Sequence, residues 1–190
     1  MKYLLLLLLF PLTCFAQNNP NIYINQVGDN NTYNVSQEYS GDYIKITAGF
    51  MSPVDGNSFT VTQNGTGSLI AGIDLQSGIN NTFNVIQGGS GNNVAKINGV
   101  VGDANGISVT QSGASNNTFI LSTTAGTLNS ANTVNVTQSG NSGADKSFSL
   151  TLNGSSGATV TVIQDNPTVS NSGSMTISCL ICGSYSYIRH

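Results

Sequence analysis

The groups that could carry covalent or metal chemistry in this sequence are few. Cys179 and Cys182 form a Cys-x-x-Cys pair, which would suggest a thioredoxin-like site beside a βαβ pattern. No helical pattern surrounds them. Residues three apart in a strand point to opposite faces, so a bond between these two needs a local turn. Pairing between chains and simple burial are the alternatives. The one histidine, His190, is the last residue. Asp29, Asp42, Asp55, Asp74, Asp103, Asp145 and Asp165 fall mostly in turn-like sequence, where Asp is a common former. No Gly-Gly-x-Gly-x-Asp calcium repeat accompanies them. No catalytic residue, metal site or cofactor is expected, and an enzyme has little here to build on.

What recurs is the side-chain amide. The 190 residues include 25 Asn, 9 Gln, 22 Gly and 43 Ser plus Thr, just over half the chain. Aligned on Asn-x-apolar-x-Val-x-Gln, the sequence repeats as Asn31-Tyr33-Val35-Gln37, Asn57-Phe59-Val61-Gln63, Asn81-Phe83-Val85-Gln87, Asn105-Ile107-Val109-Gln111 and Asn132-Val134-Val136-Gln138. A sixth copy, Ala158-Val160-Val162-Gln164, lacks only the Asn. The glutamines follow one another at 26, 24, 24, 27 and 26 residues. An amide both donates and accepts, so a stack of amides can satisfy itself along one axis.

The elements that must position these amides are strands. Each copy alternates with period two, which predicts a strand with one buried face. A glycine often lies two residues after the Gln, as in Gln63-x-Gly65, Gln111-x-Gly113 and Gln138-x-Gly140, and allows a sharp turn there. A second alternating segment follows in most periods: Ile44 and Ile46, Phe119 and Leu121, Phe148 to Leu152, and Met175 and Ile177. Leu69-Ile70 and Val94 to Ile97 are the weaker candidates. Alternation is read on through Cys179 and Ile181.

The predicted fold is all-β, a β-solenoid of about six two-stranded coils with strand-turn-strand repeats of 24–27 residues. Gln37, Gln63, Gln87, Gln111, Gln138 and Gln164 should form one ladder, and Asn31, Asn57, Asn81, Asn105 and Asn132 another. Val35, Val61, Val85, Val109, Val136 and Val162 should form the dry seam. Charged residues are only 7% of the chain, against about 25% in an ordinary soluble domain. Register stacking accounts for this, because an inward Lys placed over another Lys about 4.8 Å away would be strongly unfavourable.

Charge also narrows the partners. Five Lys plus Arg cannot build much of a basic patch, so nucleic acid is excluded as a partner. Residues 1–16 read as a secretory signal peptide, with Lys2, the apolar run Leu4 to Leu9, and small residues Cys14 and Ala16 before a cut at Gln17. A lipoprotein cut before Cys14 is the rival. The mature repeat domain is then 17–190, a secreted, extracellular or cell-surface product with no membrane-spanning segment.

The string Ile22-x-Ile24-x-Gln26-x-Gly28-x-x-Asn31-x-Tyr33-x-Val35-x-Gln37 closely resembles a curlin repeat, and so does Gln76-x-Gly78-x-x-Asn81-x-Phe83-x-Val85-x-Gln87. In weaker form the resemblance extends across residues 22–182. It implies a subunit of curli-like fibres, a secreted functional amyloid of biofilm matrix and adhesion. It implies self-association, with an outer-membrane secretion channel and a surface nucleator as partners. The acidic balance of the mature chain favours the bulk subunit over the nucleator. The chain departs from the family in its longer periods, in the scarcity of the Ser that opens the family's repeat, and in the Cys179/Cys182 ending. The alternative is a monomeric secreted solenoid that acts as an adhesin or as a glycan- or ice-binding protein. A mixed outward array (Thr60/Thr62 but also Asn34/Ser36 and Asn84/Ile86) argues against ice binding.

Overall fold

The computed structural model describes residues 21–26, 32–37, 43–48, 58–65, 69–75, 82–98, 105–123 and 129–190. The export segment 1–16 and Asn31, Asn57 and Asn81 lie outside the described residues. The described chain is all-β, a parallel β-solenoid without helix. Its strands are β1 (Asn21–Gln26), β2 (Thr32–Gln37), β3 (Tyr43–Ala48), β4 (Ser58–Gly65), β5 (Leu69–Leu75), β6 (Thr82–Gly89), β7 (Asn93–Asn98), β8 (Gly106–Gly113), β9 (Asn117–Thr123), β10 (Thr133–Gly140), β11 (Lys146–Leu152), β12 (Thr159–Gln164), β13 (Asn171–Ile177) and β14 (Ser184–Arg189).

Consecutive strands go to opposite sheets. The odd-numbered strands make one seven-stranded sheet, β1-β3-β5-β7-β9-β11-β13, and the even-numbered strands the other, β14-β12-β10-β8-β6-β4-β2. Each strand therefore pairs, in parallel, with the strand one period away. Pairing is in register: Val35 with Val61, Val61 with Val85, Val85 with Val109, Val109 with Val136, and Val136 with Val162. The unequal periods leave this register intact, so the extra residues are absorbed between strands.

The core lies between the two sheets. Val61, Val85, Val109, Val136 and Val162 are buried from one side, and Ala95, Ile97, Phe119, Leu121, Phe148 and Leu150 from the other. Val35 is partly buried against them. The alternation is plain in β10, where Val134, Val136 and Gln138 are buried while Thr133, Asn135 and Thr137 are exposed. The weak segments are also strands. Leu69-Ile70 opens β5, and Val94 to Ile97 lies within β7.

Two details differ from the sequence reading. β13 ends at Ile177; Cys179 still packs partly buried against the core, but Ile181 is fully in solvent. The chain bends at Leu180 and Ile181 and closes a disulfide between Cys179 and Cys182, with Cα atoms 5.5 Å apart. This bend is the local turn that such a bond requires. Beyond it, Ser184–Arg189 adds β14, a strand outside the range of the repeat as read from the sequence. Its Tyr185, Tyr187 and Arg189 take the register places of Val160, Val162 and Gln164.

Candidate functional site

Five of the glutamines, Gln63, Gln87, Gln111, Gln138 and Gln164, are fully buried. Gln37 stands in register with Gln63. The alternation of their strands turns the five buried side chains inward, and the parallel register places each above the last. Gln87 Nε2 donates to Gln111 Oε1, Gln111 Nε2 to Gln138 Oε1, and Gln138 Nε2 to Gln164 Oε1, each at 2.7 Å.

The column has a direction. Gln111 Nε2 also donates to the Val94 carbonyl at 3.0 Å, and Gln138 Nε2 to the Thr118 carbonyl at 3.0 Å. A carbonyl can face only the nitrogen of the amide, so these bonds fix which way each amide points. From Gln87 through Gln138 each donor is aimed at the next coil toward the C-terminus, whereas Gln87 Oε1 receives no bond from Gln63. Gln164 ends the series, because its Nε2 donates to the Ser147 and Asn171 carbonyls instead.

The asparagine column is described at Asn105 and Asn132, both buried. Asn132 Nδ2 donates to Asn105 Oδ1 at 2.9 Å, and the Asn132 backbone N–H donates to the same oxygen at 3.1 Å. Where the sixth copy has Ala158 instead of Asn, the Ala158 N–H still donates to Asn132 Oδ1 at 3.0 Å. The backbone half of the motif survives loss of the side chain.

The opposite sheet carries a further column that the repeat alignment missed. Asn117 Nδ2 donates to Asn93 Oδ1 at 2.9 Å, with both residues buried. The signal was an Asn opening β7 and β9 at the same register. The next place in that column is taken by Lys146, paired with Asn117 on one side and Asn171 on the other.

Lys146 is 1% exposed, which corrects the expectation that stacking excludes an inward Lys. The repulsion argument needs a second Lys above or below, and here the neighbours are amides. The ammonium reaches out of the column to the carbonyls of Asn166 and Val169. Asn166 Oδ1 holds that loop in shape by accepting from the Thr168 and Val169 N–H groups, each at 3.0 Å.

Burial pushes the Lys146 pKa below its usual value, a shift opposed by the nearby Asp145 and Asp165 charges. The native state therefore releases this proton at lower pH than the unfolded chain does. Between the two pKa values the unfolded state binds more protons, so stability rises with pH, by at most about 1.4 kcal/mol per unit for one group. Lys146→Met should remove that alkaline rise. Urea midpoints across the alkaline range measure it. An equal rise in the variant would place its origin elsewhere.

The last coil differs from the others. Tyr187 packs against Phe148 with ring centroids 4.9 Å apart, and its hydroxyl donates to the Ser172 carbonyl at 2.7 Å. β13 has Gly173 in register with Phe148, and a side chain at Gly173 would collide with the Tyr187 ring. The guanidinium of Arg189 lies 5.5 Å from the Tyr187 ring centroid. His190 Nδ1 meets Asp165 Oδ1 at 2.7 Å.

Among the described residues no group of three or more His, Cys, Asp or Glu could hold a metal ion. No helix of the described residues is long and apolar enough to cross a membrane. Among the described residues the organised polar chemistry is the set of amide columns and the edge strands of the two sheets. No family model matches the chain, and neither a curated protein nor a solved structure matches it.

Proposed function

We propose that this chain is the secreted structural subunit of a curli-like amyloid fibre, assembled end to end, that serves in biofilm matrix and adhesion. The observation that carries the reading is the pair of edge strands that the described sheets present at each end. β13 and β14 each close a seven-stranded parallel sheet at one end, and β1 and β2 do so at the other. An edge strand presents unpaired N–H and C=O groups to any chain that can match it. Within the described strands, none of the four edges carries a proline or a helical cover. Here the best match is another copy, because the molecule is already a stack of its own repeat. A contact between unlike ends does not close on itself and generates a filament.

We read the solenoid as six coils carrying the Val and Gln columns, completed by the aromatic strand β14. Low charge then serves the fibre, since a column continues through many molecules without like charges stacking. Secretion, an outer-membrane channel and a surface nucleator belong to this reading through the curlin resemblance of the repeats. Catalysis plays no part in it.

The test is electron microscopy and size-exclusion chromatography of the purified chain 17–190 over several days. Fibres that consume the monomer are the expected result. A chain that stays monomeric at high concentration would contradict the reading and favour a monomeric adhesin or a glycan- or ice-binding solenoid.

A further inference from the structure

We infer that the outward face of the even-numbered sheet is a second interface, on which the same face of another copy packs, so that the fibre is built of paired solenoids. This rests on the end-to-end reading above and adds to it a lateral contact.

Charge is absent from this face. On β2, β4, β6, β8, β10, β12 and β14 every outward place is held by Thr, Ser, Asn, Ile or Gly. The opposite sheet differs. Lys96 is exposed on β7, and Lys45 stands in the same register column, beyond Gly72. The chain has a net charge of -3, so copies repel one another. A face without charge is the one that two copies can dehydrate at least cost.

Its side chains also suit a packed contact. Thr62, Ile86, Thr110, Thr137, Ile163 and Ile188 follow one another in a single register column, and all six are β-branched. Such side chains have little χ1 freedom to lose on packing. Ile86 and Ile188 are 41% and 46% exposed, large apolar groups left in water on a single copy. The hydroxyls beside them both donate and accept, so they can bond to one another once water leaves. The amide ladder beneath favours a flat sheet.

Size and spacing select the partner. Seven strands about 4.8 Å apart, each six or more residues long at about 3.3 Å per residue, make a face of about 34 by 20 Å. That is about 650 Å² per copy, against about 800 Å² per partner in a standard interface. Each molecule added end to end extends the contact. A second in-register sheet offers the same repeat of about 4.8 Å, and the same face of another copy supplies one.

The experiment is mass per length of fibres of the chain 17–190, measured by scanning transmission electron microscopy. Circular dichroism checks that each variant folds. Wild-type fibres should carry twice the mass per length of a single stack. Thr137→Lys sets an uncompensated ammonium in the contact and should halve that value. Along one stack these lysines recur only about every 34 Å, well beyond the Debye length of about 8 Å, so end-to-end growth should continue. Asn135→Lys, at a neighbouring outward place, should act alike. Thr137→Val keeps the branched shape and should stay paired, as should Ser149→Lys on the opposite sheet. Wild-type fibres that are single stacks, or Thr137→Lys and Asn135→Lys fibres that remain double, would overturn the pairing and leave the fibre reading standing. Single wild-type stacks that cosediment with insoluble cellulose, and lose this with Thr137→Lys, would give the face to a glycan instead. If wild-type monomer forms no fibres at all, both readings fall.

Discussion

Gln111→Glu should lose several kcal/mol of stability at neutral pH, and lose it progressively as pH rises. Gln111 is fully buried, accepts from Gln87 Nε2 and donates to Gln138 Oε1 and to the Val94 carbonyl. A carboxylate offers only acceptors, so it would face two oxygens with no proton between them. Burial without a cation also disfavours the charged form and raises the folded-state pKa above the unfolded value of about 4.3. Between those two pKa values the native state holds more protons than the unfolded state. Stability then falls with pH, by about 1.4 kcal/mol per unit. Below the unfolded pKa the neutral acid can still donate to Gln138, and much of the loss should disappear. Gln111→Leu should also destabilise, because it strands the groups on either side, but without the pH slope. Urea midpoints at acid and neutral pH separate the two. A Gln111→Glu profile as flat as that of Gln111→Leu would mean that the column does not bury this position as described.

Gly89→Ala should be nearly as damaging, for a backbone reason. Gly89 has φ +99° and follows the Gln87 strand segment into its turn. Gly113, two residues past Gln111 in the next coil as Gly89 is past Gln87, has φ +88°. A Cβ on Gly89 would be driven into the Gly113 carbonyl, which is backbone and cannot swing aside. A positive φ alone costs a non-glycine residue about 1–3 kcal/mol. Separating two coils to admit the methyl adds to that, so a loss above about 3 kcal/mol is expected. Gly143 is the control. It also has positive φ, +84°, but nothing lies within 4 Å of an added Cβ. Gly143→Ala should therefore cost only the conformational part. Equal losses at both sites would remove close coil-to-coil contact from the account.

These two cases show why the even-numbered sheet was readable from the sequence. Two of its inward columns repeat one residue type, Val with Val and Gln with Gln, while the third changes only among apolar residues, Phe83, Ile107, Val134 and Val160. The odd-numbered sheet was harder. Its columns mix sizes, with Ala71, Ala95, Phe119, Phe148 and Gly173 in successive register. A column can change size where its neighbours compensate, as the Tyr187 ring does above Gly173. β14 escaped notice because it keeps the alternation but replaces both Val with Tyr and the Gln with Arg. Lys146 escaped for a different reason. The rule against stacked charge concerns neighbours, and the sequence alone did not show that those neighbours are Asn117 and Asn171 or that a carbonyl-lined loop lies within reach.

The central claim is that the stack continues through successive molecules. X-ray diffraction from aligned fibres of the chain 17–190 tests it directly. The account predicts a sharp meridional reflection near about 4.8 Å, from strands perpendicular to the fibre axis, and an equatorial reflection near about 10 Å, from the two packed sheets. Fibres whose 4.8 Å reflection falls on the equator, with strands running along the axis, would contradict it.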